Sequence, residues 1–231
     1  MGLFSMPTPG NLLAEGFPAS SMDNLAWTLE KEKGSVRVYS ADWPDNNVLA
    51  FKAEALIETS ISSLLAMMVD IDNYVNWIVG CKGSKTLIKI SDWEYIGHVV
   101  IDAGVVFRDR DFVVHAKGHP SPGTGGVTVQ YSSLEGYLER LDRTIRVLVN
   151  EGSWTLTPAD HDKVRLVWQG RLDPGGWFPT WLLKMLFDTV VLKTMEDIIR
   201  EVKDMRYQNI VFKGFKYSTD GPSYFDFKSL R

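Results

Sequence analysis

The pattern of apolar and charged residues changes halfway along the stretch 177–206. From Trp177 to Leu192 the only charges are Lys184 and Asp188, four residues apart and therefore on one narrow strip of a helix. The rest of that surface is oily. From Lys193 to Arg206 charges crowd in (Lys193, Glu196, Asp197, Arg200, Glu201, Lys203, Asp204, Arg206), leaving an amphipathic helix with one apolar stripe. Leu183, Phe187, Val191, Met195, Ile198, Val202 and Met205 recur every three or four residues, which predicts a continuous seam against a sheet. Leu182, Met185, Leu186 and Val190 widen it at the N-terminal end only.

Upstream, the pattern predicts a short helix from Asp23, a possible cap, to Glu32, ended by Gly34. Strand-like runs follow at Val36 to Ser40 and at Val48 to Glu58, where Phe51, Ala53, Ala55 and Ile57 alternate with polar residues. Helical spacing returns at Ile61, Leu64, Leu65 and Met68, with Tyr74 and Trp77 beyond. After Gly83, strand-like segments at Lys85–Ser91, Trp93–Ile101, Arg110–Gly118, Val127–Leu134, Thr144–Thr157 and Val164–Leu172 alternate with turn residues. This order predicts an α+β fold, a strongly curved antiparallel sheet with one long C-terminal helix across its concave face. A sheet that curls round a helix without closing on it can leave an interior void, and such voids are common small-molecule sites.

The chain has 231 residues, 45% of them apolar, and a net charge of −4 without long runs of one sign. One domain with tails is expected: a loose arm over residues 1–22, a folded body over 23–206 and an aromatic tail over 207–231. The charge disfavours a nucleic-acid partner. A single cysteine, Cys81, fits a reducing compartment, so the cytoplasm is the default. No stretch has the roughly 18 uninterrupted apolar residues of a membrane span, and no signal peptide is visible.

Catalytic and metal-ligating patterns are weak. His98, His115, His119 and His161 lack metal-site spacing, except His115 with His119, which a strand would hold too far apart. No nucleophile elbow or phosphate-binding loop is present, and Pro122 to Gly126 reads as a hairpin loop. No metal or cofactor is expected. Two polar features stand out. Arg108-Asp109-Arg110-Asp111 precedes the β-forming Phe112-Val113-Val114 and is expected to be a salt-bridged rim. Asn150 and Glu151 interrupt an apolar strand, and period-two alternation turns one of them inward.

Three local motifs resemble the StAR-related lipid-transfer (START) domain of the helix-grip superfamily. Arg110-Asp111-Phe112-Val113 resembles that family's RDFV strand start. Arg146 followed by Trp154-Thr155-Leu156-Thr157-Pro158 resembles its arginine strand, and Asp173 to Leu182 resembles the approach to its terminal helix. Together with the order of elements they cover roughly residues 27–206. The resemblance implies a helix-grip fold with an internal hydrophobic cavity for one lipid, roofed by the terminal helix and a loop over about 102–109. Where steroid-handling members bury a carboxylate and an arginine, an ungapped match places Gly97 and Ala116, which implies a more apolar pocket or a head group read by His98, Asn150 or Trp168.

The expected function is that of a non-enzymatic lipid-binding or lipid-transfer protein, a monomer meeting a membrane surface transiently. Its expected ligand contacts are Trp77, His98, Val100, Phe107, Phe112, Asn150, Trp154, Trp168, Leu183, Leu186, Phe187 and Val190. Two alternatives stay open. One is an enzyme resembling polyketide aromatase/cyclases, with His98, Arg146 and Tyr131 as candidate acid or base groups. The other is a module that docks through its aromatic tail, against the plainer expectation that the tail packs on the body.

Overall fold

The computed structural model describes residues 22, 24–44, 48–121, 123–160, 162–176 and 180–210, with side chains of the terminal helix from 187 onward. Three strands open the chain: β1 (Thr28–Lys33), β2 (Val36–Ala41) and β3 (Leu49–Glu58). The first replaces the predicted helix over 23–32. Lys33 pairs with Val36 across the two-residue turn Gly34-Ser35, with Gly34 at φ 59°, a hairpin geometry that only glycine adopts cheaply. That turn lets a largely exposed, charged segment pair along the edge of β2, and tertiary pairing overrides its helical spacing.

Helix α1 (Ile61–Val69) starts where the Ser60 hydroxyl accepts from the Ser63 N–H at 3.0 Å, a side-chain N-cap. A 3₁₀ turn, Ile71–Asn76, follows. The meander comprises β4 (Cys81–Ser91), β5 (Glu94–Ile101), β6 (Asp109–Ser121), β7 (Gly126–Ser133), β8 (Thr144–Arg146), β9 (Val149–Ala159) and β10 (Lys163–Asp173). Helix α2 (Thr180–Glu201) and a 3₁₀ turn at Met205–Tyr207 close the described chain.

The sheet runs β1-β2-β3-β10-β9-β7-β6-β5-β4, antiparallel throughout. The segment 144–157, expected as one strand, is divided in two. Strand β8 pairs in parallel with the start of β6, and the chain then leaves the sheet at Val147, whose side chain is buried and whose N–H donates to the Asp111 carbonyl at 2.9 Å. Gly152 of β9 faces Gly170 of β10. A Cβ on Gly152 would lie 2.3 Å from the Gln169 carbonyl oxygen, and one on Gly170 2.5 Å from that of Glu151. Only glycine tolerates so close a backbone approach, which is typical of a sharp bend in a curved sheet.

Helix α2 packs across β1, β2 and β3. Val191, Met195, Ile198 and Val202 are completely buried, but Met205, expected at the end of their seam, is 80% exposed. The helix stops at Glu201, so the spacing that would aim Met205 inward is lost. Tyr207 closes this end instead: it is buried, and its hydroxyl donates to Asp70 at 2.8 Å, tying the end of the described chain to the end of α1. Residues 1–21 and 211–231, the bulk of the expected arm and tail, lie outside the described residues.

The Arg108 to Asp111 run is more than a solvated rim. Asp111 is fully buried on the outer face of β6, with the Arg146 guanidinium at 2.6 Å, His98 Nε2 at 3.1 Å and the Thr144 hydroxyl at 3.2 Å. Arg146 spends its other donors on the carbonyls of Leu138 and Glu139. Arg110 donates to the carbonyls of Pro174 and Gly175 at 3.2 Å and so holds the turn ahead of α2. Only Asp109 keeps the expected rim role, in an ion pair with Lys82.

Burial alone would raise the Asp111 pKa, but the hydrogen bonds from Arg146 and His98 outweigh it and hold the carboxyl below its ordinary value. A depressed carboxylate stabilises the fold above the unfolded-state pKa of about 4, and that contribution disappears as the pH falls through the folded-state value. R146M, which strands the buried carboxylate, should cost about 3–5 kcal/mol in urea unfolding, whereas D111L/R146M should recover most of the loss. Between pH 5 and 3 the double variant should lack the share of acid destabilisation that Asp111 gives the wild type.

Candidate functional site: an aromatic-walled cavity

Between sheet and helix lies a cavity of about 430 Å³, within the size range of small-molecule sites. Alternate residues of each strand build its wall: Tyr95, Gly97, Val99 and Ile101 from β5, Phe112, Val114 and Ala116 from β6, Val129 and Tyr131 from β7. Strands β9 and β10 add Asn150, Trp154, Trp168 and Leu172, and β3 adds Phe51. Met68, Ile71, Tyr74, Trp77, Ile78 and Val79 cover one side, Asp102, Ala103 and Phe107 border the mouth, and Phe187, Val190, Val191 and Thr194 of α2 form the roof.

Aromatic rings form a continuous arc along this wall. Tyr74 meets Trp77 at 4.6 Å between centroids, Trp77 meets Trp154 at 6.2 Å, and Trp154 stacks on Trp168 at 4.3 Å with planes 10° apart. Phe51 then stands edge-on to Trp168 at 4.8 Å and to Phe187 at 5.1 Å. These offset and edge-to-face contacts add to the burial of large apolar surfaces. They tie the 3₁₀ turn, the sheet and the roof together around an open space.

The polar groups in the described wall are few and, apart from Asp102 at the mouth, neutral. The Tyr74 and Tyr95 hydroxyls donate to the Met68 carbonyl at 2.5 and 3.0 Å. Burial pushes the Tyr95 pKa up to about 12 and raises that of Tyr131 further, so both phenols stay protonated near neutrality. The Tyr131 oxygen accepts from the Trp168 indole N–H at 2.9 Å and lies over Gly152 and Gly170, where a Cβ would come within 2.6 and 2.8 Å of it. Thr194 Oγ1 accepts from the Val79 N–H at 3.3 Å. The side-chain amide of Asn150 has no partner among the described residues. Asp102 is the one carboxylate in the described lining; it is exposed at the mouth and accepts from the Gly104 N–H at 2.7 Å.

Among the residues expected to contact a ligand, Trp77, Phe107, Phe112, Asn150, Trp154, Trp168, Phe187 and Val190 line this cavity. His98 and Val100 do not: they stand on the opposite face of β5 from Tyr95, Gly97, Val99 and Ile101, and His98 is engaged by Asp111. Leu183 and Leu186 lie outside the residues whose side chains are described. Asn150 turns inward while Glu151 pairs outside with Arg171 at 3.1 Å. Gly97 and Ala116 both face the cavity; a Cβ at 97 would collide with Ile71 at 2.8 Å. Of the three acid or base candidates only Tyr131 reaches it, because Arg146 shares the outer network of His98. Phe51, Tyr74, Tyr95 and Thr194 were not anticipated, although the alternation of β3 and β5 marks the inward faces to which Phe51 and Tyr95 belong.

A curved antiparallel sheet gripping a C-terminal helix is the START-domain fold, and solved structures of that class superpose on this chain. A fragment of a STAR-related lipid transfer protein from Xanthomonas axonopodis matches with a TM-score of 0.71 and 22% identity, covering 77% of this chain and 99% of that one. Human STARD10 matches at 0.68 with 12% identity, covering 78% and 74%, and human StAR-related lipid transfer protein 5 at 0.67 with 16% identity, covering 80% and 89%. In sequence, an uncharacterized protein of Pseudomonas aeruginosa is 24% identical over 189 residues, 82% of this chain and 88% of the relative. No family model matches the chain.

Trp168 depends on Tyr131 for its buried donor. Y131F should therefore destabilise the protein by about 1–3 kcal/mol, measured by chemical denaturation, with the far-ultraviolet circular dichroism unchanged.

Proposed function

We propose that this protein binds one hydrophobic ligand, a lipid or lipid-like molecule, in the cavity beneath α2 and carries it between membranes. The observation that supports this reading best is the wall itself: its described lining is almost wholly apolar, strongly aromatic, and free of charge except at the mouth. A ligand chain entering it loses contact with water at a gain of about 0.8 kcal/mol per buried methylene. The START fold and the names of its solved relatives support the same reading.

Exchange requires the ligand to leave the cavity without crossing bulk water. The loop between β5 and β6 borders the mouth through Asp102, Ala103 and Phe107, and carries Val105 and Val106 at its tip, 106% and 86% exposed. Val190 of the roof is also partly exposed. Two adjacent solvent-facing valines beside the mouth fit a loop that dips into a membrane while the roof opens. No helix among the described residues is long and apolar enough to cross a membrane.

Delipidated protein mixed with vesicles should extract a lipid that appears as a single adduct in native mass spectra; repeated absence of any adduct would refute the proposal. A116W, which fills the cavity, should reduce extraction at least about tenfold. V105D/V106D should slow transfer between vesicles by about tenfold or more, since burying a valine favours membrane contact by about 1.5–3 kcal/mol, while leaving the equilibrium ligand load unchanged.

A further inference from the structure

The polar atoms of the cavity point to one feature of its ligand. Asn150 of β9 and Leu172 of β10 are paired, as are Gly152 with Gly170 and Trp154 with Trp168. Along this face the bare glycine pair thus separates the tryptophan stack from Asn150, and the Tyr131 hydroxyl rests over the glycines. Because that hydroxyl accepts from the Trp168 indole, its own proton remains to be donated, and no acceptor for it occurs among the described residues. Asn150 stands about 7 Å along the strand from Gly152, lines the same cavity and offers both an amide donor and a carbonyl acceptor. Two neutral hydrogen-bonding groups therefore line the same part of a largely apolar wall, on either side of a notch floored by the glycine pair.

No cation accompanies them among the described lining residues. Arg171, next along β10, turns outward to Glu151, and Arg110 is committed to the turn before α2. A carboxylate or phosphate placed in the notch would lose its hydration with no opposite charge among the described lining residues to meet it, an unfavourable exchange in a low-dielectric site. A hydroxyl suits the notch: its oxygen accepts from Tyr131, and its proton goes to the Asn150 carbonyl.

On the basis of the lipid-binding reading above, we infer that the Tyr131–Asn150 notch selects an uncharged ligand that ends in a hydroxyl group, and discriminates against anionic lipids. The remainder of such a ligand lies along the tryptophan stack toward Phe51 and Phe187. Asn150 is the specificity-determining residue, and the glycine pair makes room for the phenol that completes the site.

The test compares ligands that differ only at the polar end. Delipidated protein is loaded with the neutral dye Nile red, which is then displaced with 1-dodecanol or dodecanoate at pH 8. The alcohol should displace the dye at concentrations about tenfold lower than the carboxylate. N150L should weaken the alcohol by about five- to tenfold relative to dodecanoate. N150K, which supplies the missing cation, should reverse the preference toward dodecanoate. Equal displacement by both ligands in the wild type, or an unchanged preference in both variants, would overturn the inference while leaving the lipid-binding reading intact. Failure of the wild type to bind dye, alcohol and carboxylate alike would overturn both.

Discussion

The fold depends on a mismatch between a strongly bent sheet and a helix too narrow to fill it. Close backbone approach at Gly152 and Gly170 bends the sheet where β9 meets β10, and among its described side chains α2 buries Met195 and Ile198 completely, with Val202 just beyond its end. Toward its N-terminal side the helix presents Phe187 and Val190 to open space. Large rigid rings make that space sustainable. Trp77, Trp154, Trp168, Phe51 and Phe187 support one another through stacking and edge contacts, so the wall retains much of its packing energy with the cavity unfilled.

Strand β6 divides structure from function residue by residue. Its outer face carries Asp111, Val113 and His115, and the inner face Phe112, Val114 and Ala116. The outer Asp111 gathers Arg146, His98 and Thr144, and through Arg146 it fixes the carbonyls of Leu138 and Glu139. Arg110 binds the turn that leads into α2. The strongest charges therefore position the roof and the connections from outside. The described lining is uncharged apart from Asp102 at the mouth, and the Asp111–Arg146 pair stands on the other side of β6.

Much of the site was legible in the chain because strand alternation is a local property. Trp154 and Trp168 were expected to contact a ligand and line the cavity, and alternation turned one of Asn150 and Glu151 inward without choosing between them. His98 and Val100 illustrate the limit: in a strand between two others, both faces hold buried residues, and choosing between them needs the register with β6, where His98 meets Val113. The short helix expected over 23–32 failed for a related reason. Its apolar spacing is too sparse to outweigh a glycine turn that offers an edge-strand partner. Met205 fell away because a repeat predicts burial only for as long as the helix continues.

The curved antiparallel sheet with its terminal helix, the succession of elements from β2 onward apart from the division of 144–157, and the uneven apolar pattern of residues 177–206 followed from the sequence by itself. Periodicity and turn chemistry act between near neighbours, so they can be read without coordinates. Tertiary structure alone decided that Asp111 and Arg146 form a buried pair outside the cavity, that Tyr131 rests on two facing glycines, and that Asn150, not Glu151, faces the cavity. These relations join residues 20 to 40 positions apart across strand registers, and a register is set by the packing of the whole sheet rather than by any one strand.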